Sequence, residues 1–130
     1  MSRWGPDTFD SDRALDFIIT EMDRHASAIE RIFADSQRFR LDEDAEDELM
    51  PRIDILVLLT AHCYGVLDKT PGEVAAWRAR YLEMYDDQID EMAPTEEHKQ
   101  QRRAVIEATF DELIRLRRKQ EQYVQERWGM

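Results

Sequence analysis

Four stretches of the chain repeat apolar residues every three or four positions, the spacing that lines one face of an α-helix. Leu15, Ile18, Met22, Ala26, Ile29, Ile32 and Phe33 form the first and predict an amphipathic helix over residues 11–35. Asp10 or Ser11 supplies its N-cap, and Asp12 stands in the first turn, where the helix dipole favours a carboxylate. Ser36 to Leu41 reads as a connector. Asp42 to Glu48 then places six acids in seven residues ahead of Pro51, and Ile53 to Leu67 is apolar on nearly every side. A helix that is apolar all round is usually buried, so residues 45–67 are expected to form the central helix. Proline suits a first turn and is costly in an interior, so this helix should start or kink near Met50.

Thr70-Pro71-Gly72-Glu73 has the N-cap, the Pro at N1 and the Glu at N3 that open a helix. It predicts a third helix over 71–91, with Val74, Trp77, Tyr81, Met84, Tyr85 and Ile89 inward. Pro94-Thr95-Glu96 opens a fourth over 95–125, with Val105, Ile106, Phe110, Leu113 and Leu116 on its inner face. The period lapses through Arg117 to Gln122 and returns at Tyr123, Val124 and Trp128.

No repeat and no long linker divides the 130 residues, so residues 1–130 read as one all-α domain, a compact four-helix-type bundle with a structured N-terminal lead-in. With 4 Gly and 4 Pro there is little material for the turns of an all-β fold. The longest apolar run, Ile55 to Leu59, falls far short of the roughly 20 residues that cross a bilayer. The opening Met-Ser-Arg-Trp-Gly-Pro-Asp lacks the apolar stretch of a signal peptide, and the one cysteine, Cys63, excludes an internal disulfide. The expectation is a cytoplasmic protein with no membrane partner.

Charge narrows the picture further. The net charge is −11, and residues 1–94 hold 10 Lys/Arg against 22 Asp/Glu, while residues 95–130 hold 8 against 7. Such a surface repels nucleic-acid phosphates, whose binding needs clustered cations, and steers basic proteins inward. The basic tail Arg115-Leu116-Arg117-Arg118-Lys119 is flanked by acids and lies where cations suit a helix C-terminus, so a nucleic-acid role is not favoured. The tail and the acidic run 42–48 can instead pair with each other, within or between molecules.

Trp4-Gly5-Pro6-Asp7-Thr8-Phe9-Asp10-Ser11-Asp12-Arg13-Ala14-Leu15-Asp16-Phe17 resembles the opening of bacterial proteins of the domain of unknown function 4259 family. Trp4, Gly5, Phe9, Asp10, Asp12, Ala14, Asp16 and Phe17 fall on that pattern without a gap, and Pro71 to Trp77 looks like the family's later helix start. Asp7 and Ser11 depart from it, as does the apolar run 53–67. The resemblance implies a fold and a bacterial origin, and no activity. Trp4, Gly5, Phe9, Asp10, Asp12 and Asp16 are therefore a candidate motif site whose structural reading is preferred. In that reading Gly5 permits close backbone approach, Trp4 and Phe9 pin the lead-in onto the bundle, and Asp16 accepts hydrogen bonds from lead-in N–H groups.

His25, His62 and His98 fall on three different helices, none preceded at three residues by Glu, so a di-iron bundle pattern is absent. A buried Asp54–His62 pair is expected, and Cys63, with no cationic neighbour in sequence, should be buried and inert. The acids 42–46 followed by Glu83 and Asp86 faintly resemble the paired magnesium-binding motifs of all-α nucleotide pyrophosphohydrolases, but Pro51 interrupts the helix that would carry the first. No metal, cofactor or catalytic residue is assigned. The reading is a non-enzymatic acidic protein that binds a basic protein partner, of the immunity or inhibitor type, through Asp42, Glu43, Asp44, Glu46, Asp47 and Glu48. The alternatives are the magnesium-dependent hydrolase and a self-associating structural protein, for which Tyr123, Val124 and Trp128 supply an apolar stripe.

Overall fold

The computed structural model describes residues 3–63 and 65–129. Four α-helices, α1 (Asp12–Ala34), α2 (Met50–His62), α3 (Pro71–Gln88) and α4 (Glu96–Trp128), form an all-α bundle, and the described residues contain no strand. Each start is written locally. The Ser11 hydroxyl accepts from the Ala14 N–H at α1, Thr70 from Glu73 at α3, and Thr95 from His98 at α4, each satisfying one orphan donor of a first turn. Of the two candidate caps of α1, Ser11 is the one used. A four-residue 3₁₀ turn, Ile89–Met92, prolongs α3, and Ala93 in the left-handed region (φ 50°) turns the chain into α4.

The acidic run does not enter α2 as an ordinary first turn. Ala45–Leu49 forms a π-turn, closed by the Met50 N–H onto the Ala45 carbonyl, and α2 follows with Pro51 in its first turn. In an unbroken α-helix the Pro51 ring would clash with the carbonyl four residues back, and the wider π-turn relieves that clash. The expected kink near Met50 has this form.

α2 and α4 run one way, α1 and α3 the other. Arg52 meets His25 while Gly65 abuts Ile18 and Met22, so α2 is antiparallel to α1. Arg103 meets Asp86 and Arg117 meets Lys69, so α4 is antiparallel to α3. The core joins Met22, Ile29 and Ile32 of α1, Ile53 and Leu56 of α2, Tyr81 and Tyr85 of α3, and Ile106, Phe110 and Leu113 of α4, all completely buried.

Several expectations about α2 and its surroundings need correction. The helix ends at His62, with Cys63 in extended conformation, and not at residue 67; Tyr64 lies outside the described residues. The rest of the apolar run is used differently. Gly65 lies so close to α1 that a Cβ there would come within 2.9 Å of Ile18 and Met22, and Leu67, outside any helix, is completely buried in the core. Side chains of α4 hold this segment's carbonyls, Gln120 on Gly65 at 3.1 Å and Arg117 on Lys69 at 2.7 Å. Nor is α2 buried all round: Ile55 and Leu58 face solvent, because α2 packs on α1 and α4 and leaves its third side open. Asp54 and His62 are both exposed and form no pair, and Cys63 is half-buried. On α4 Val105 points outward, leaving Ile106 to fill the core.

Candidate functional site

Two regions compete for function, the N-terminal motif and the acidic surface at the end of the bundle where α1 finishes. The motif is a small self-contained loop. Asp10, 6% exposed, accepts from the Asp7 N–H through Oδ2 at 3.1 Å, and its carbonyl accepts from the Trp4 N–H at 2.8 Å. A Cβ on Gly5 would sit 2.1 Å from Asp10 Oδ2, so only glycine fits. The lead-in carboxylate is thus Asp10; Asp16 is exposed, with its carbonyl accepting from the Thr20 hydroxyl. Phe9 packs against the core, whereas Trp4 stays half-exposed, donating Nε1 to Asp12 at 3.3 Å. Most of the motif's polar groups are spent on folding the loop.

The acidic run is likewise engaged with its own chain. Asp42 receives Arg40 at 3.1 Å, Asp44 receives Arg38 at 2.6 Å, Glu48 receives Arg38 and Arg52 at 3.3 and 3.1 Å, and Glu46 receives Arg102 at 2.8 Å. The Arg40 hydrogen bond holds the Asp42 carboxyl below the usual range. Glu43 and Asp47 form no ion pair among the described residues. The run's partners are arginines of the connector, α2 and α4, not the basic tail. In that tail Arg115 pairs with Glu112, and Arg117 is 5% exposed and bound to the Lys69 carbonyl, which removes it from any surface role.

Glu46 also accepts from the Tyr81 hydroxyl, which is completely buried, so the π-turn carboxylate ties α3 and α4 together. Burial first, and the Glu46 charge second, push the Tyr81 phenol far above its ordinary pKa, so it is a fixed donor. No three His, Cys, Asp or Glu side chains among the described residues converge on a point that could hold a metal ion. His25 is bonded to Arg52 on α2, and His62 and His98 stand apart in solvent.

What sequence patterning missed is a groove. The connector 35–44 and the last turns of α3 enclose an open depression of about 760 Å³, with Phe33, Phe39 and Met84 among its lining and Glu83 and Asp87 on its rim. Past Gln88, which accepts from the Leu41 N–H at 3.0 Å, it continues into a second hollow beside Glu91 and Met92. Arg80 crosses the floor, its guanidinium 5.1 Å from the Phe33 ring centre and 5.3 Å from that of Phe39. Its Nη2 donates to the Phe33 carbonyl at 2.5 Å, a cation at the C-terminal end of α1. Glu83, Asp87 and Glu91 form no ion pair among the described residues, whereas Asp86 is held by Arg103, whose hydrogen bond keeps its carboxyl below the usual range. In sequence these acids look like the solvated face of a helix, and only the fold of the connector turns them into a rim.

No helix of the described residues is long and apolar enough to cross a membrane. No family model, no curated protein and no solved structure matches the chain.

Proposed function

We propose that this protein acts by binding another protein, and that a basic segment of the partner seats in the groove between the connector and α3. The observation that carries this reading is the contrast between two acidic surfaces. The carboxylates of 42–48 are mostly answered by Arg38, Arg40, Arg52 and Arg102, whereas Glu83, Asp87 and Glu91 form no ion pair among the described residues and border the hollows beside Phe39 and Met92. Free carboxylates steer and orient a cationic partner, and the half-buried Phe39 ring adds an apolar contact. The acidic run is then the groove's outer support, with Glu43 and Asp47 the members left to meet a partner. A protein that covers the basic working surface of another, as an immunity or inhibitor protein does, fits this chemistry, and we place it in the cytoplasm.

The test is affinity capture from extracts of the producing cell at low salt, with wild type and E83K/D87K/E91K in parallel. A stoichiometric basic protein retained by wild type, released by moderate salt and lost by the variant supports the reading. Equal recovery by both, or recovery by neither, overturns it.

A further inference from the structure

Among the described helices, α2 alone turns a mainly apolar face to solvent. Residues 50–67 hold one arginine, one aspartate and one histidine in eighteen positions, in a chain of which 36% is charged. The exposed side carries Pro51, Ile55, Leu58 and Ala61, with Ile55 37% and Leu58 54% exposed, while Arg52 is turned to His25 on α1. The outer faces of α1, α3 and α4 are set instead with charges such as Asp23, Glu83 and Arg118. Single exposed apolar residues are ordinary, but a stripe of them down a helix marks a contact surface. Where two molecules of net charge −11 approach each other, this is the face with least repulsion to overcome.

The two polar residues on this face identify what covers it. Asp54, Leu58 and His62 stand four apart on one stripe, all exposed, and the Asp54 and His62 side chains form no ion pair or hydrogen bond among the described residues. Eight residues of helix separate the two by about 12 Å, so they do not meet within one chain. Two copies of α2 laid antiparallel about a two-fold axis at Leu58 set Asp54 against His62 of the second copy on both sides of the axis. The same pairing sets the large Ile55 against the small Ala61. A parallel pairing would oppose Asp54 to Asp54 and His62 to His62. The stripe thus complements itself in one direction only, and an isologous contact of this kind closes at the dimer.

We infer that the protein is a two-fold homodimer joined by antiparallel packing of α2 on α2. Leu58 of both copies lies on the axis and Ile55 flanks it, supplying the buried apolar area. Asp54 and His62 pair at both ends of the contact, fixing direction and register more than affinity. One helix per copy is a small interface, so the dissociation constant is on the order of micromolar. The contact uses neither α3 nor the connector, so it stands apart from the groove proposed above.

Sedimentation velocity across a dilution series of the intact chain tests the assembly. Wild type should pass from dimer to monomer on dilution. L58E should raise the dissociation constant by about a hundredfold or more, since it removes an apolar side chain from both copies and sets two like charges on the axis. Positions 54, 58 and 62 are all exposed, so helical circular dichroism should be unchanged in every variant. A charge exchange tests the arrangement. D54K opposes lysine to His62 and H62E opposes glutamate to Asp54, so each should weaken the dimer by about tenfold. D54K/H62E restores unlike pairs and should return the dissociation constant to within about threefold of wild type. A monomer at every concentration, a dimer indifferent to L58E, or a double variant no tighter than the singles overturns the inference.

Discussion

Arg102 on α4 donates Nε to Glu46 at 2.8 Å, across fifty-six positions of sequence, and it does so where Tyr81 of α3 donates to the same carboxylate. Three elements meet at one side chain. Removing the carboxylate leaves a buried hydroxyl and a part-buried guanidinium without a partner, whereas removing the hydroxyl leaves the ion pair intact. Glu46→Ala should therefore cost about 3 kcal/mol and Tyr81→Phe about 1.5 kcal/mol, because the first orphans two polar groups whereas the second loses one hydrogen bond to a charged acceptor and keeps the ion pair. Urea unfolding of both variants measures the difference; equal costs would mean that Arg102 finds another acceptor.

Gly5→Ala tests the lead-in. The new Cβ would collide with Asp10 Oδ2, so the loop must open, and overpacking of this kind costs about 1–3 kcal/mol. The loss should be local: amide exchange at Trp4 and Asp7 accelerates, while exchange in the middle of α4 is unchanged.

The pH dependence has a separable component in His25. Burial first, and the Arg52 charge second, lower its pKa below the ordinary 6.5. The folded state therefore prefers the neutral ring, and this contribution is fully present above pH 6.5. It declines as pH falls below that value and is lost once pH passes the lowered folded pKa. His25→Gln should flatten stability between pH 7 and 5, with the steeper acid loss from Asp42, Asp86 and Glu112 remaining at lower pH. Denaturation midpoints at a series of pH values, with a proton NMR titration of the ring, check both parts.

Arg117 fastens the loop before α3. Its Nε bond to the Lys69 carbonyl, and that of Gln120 to the Gly65 carbonyl, are what allow a non-helical segment to lie against the helices with these two carbonyls satisfied. Arg117→Met keeps the packing volume and deletes the donors, so a loss of about 1–3 kcal/mol is expected, with Arg117→Ala costing more. Thermal unfolding ranks the two.

Helix starts were readable at Ser11, Thr70 and Thr95, because capping is a local matter of a side chain and the next three N–H groups. The break at Pro51 was readable for the same reason. The end of α2 was not. Gly65 and Leu67 continue an apolar run that periodicity assigns to a helix, and the reason they leave it, a close approach to Ile18 and Met22, lies some forty residues away. Burial of Ile55 and Leu58 failed likewise, since an apolar side chain does not state how many helices will cover it. The acidic run stood out in sequence; Arg38, Arg40 and Arg52 answer it from nearby in the chain, but the pairing of Glu46 with Arg102 spans fifty-six positions and depends on the fold. The groove acids Glu83, Asp87 and Glu91 were unremarkable until the connector folded beside them.

The π-turn at Ala45–Leu49 has an evolutionary consequence. It holds one residue more than an α-helix of the same span, and so reads as an insertion absorbed without disturbing Pro51 or α2 behind it. Excising one residue between Glu46 and Met50 would restore regular winding and turn everything before it by about 100° about the helix axis. Glu46 would swing away from Tyr81 and Arg102, and a one-residue deletion there should be as costly as loss of the carboxylate itself. Length is thus under constraint in residues 45–50, and related chains should tolerate exchanges in this segment more readily than gaps.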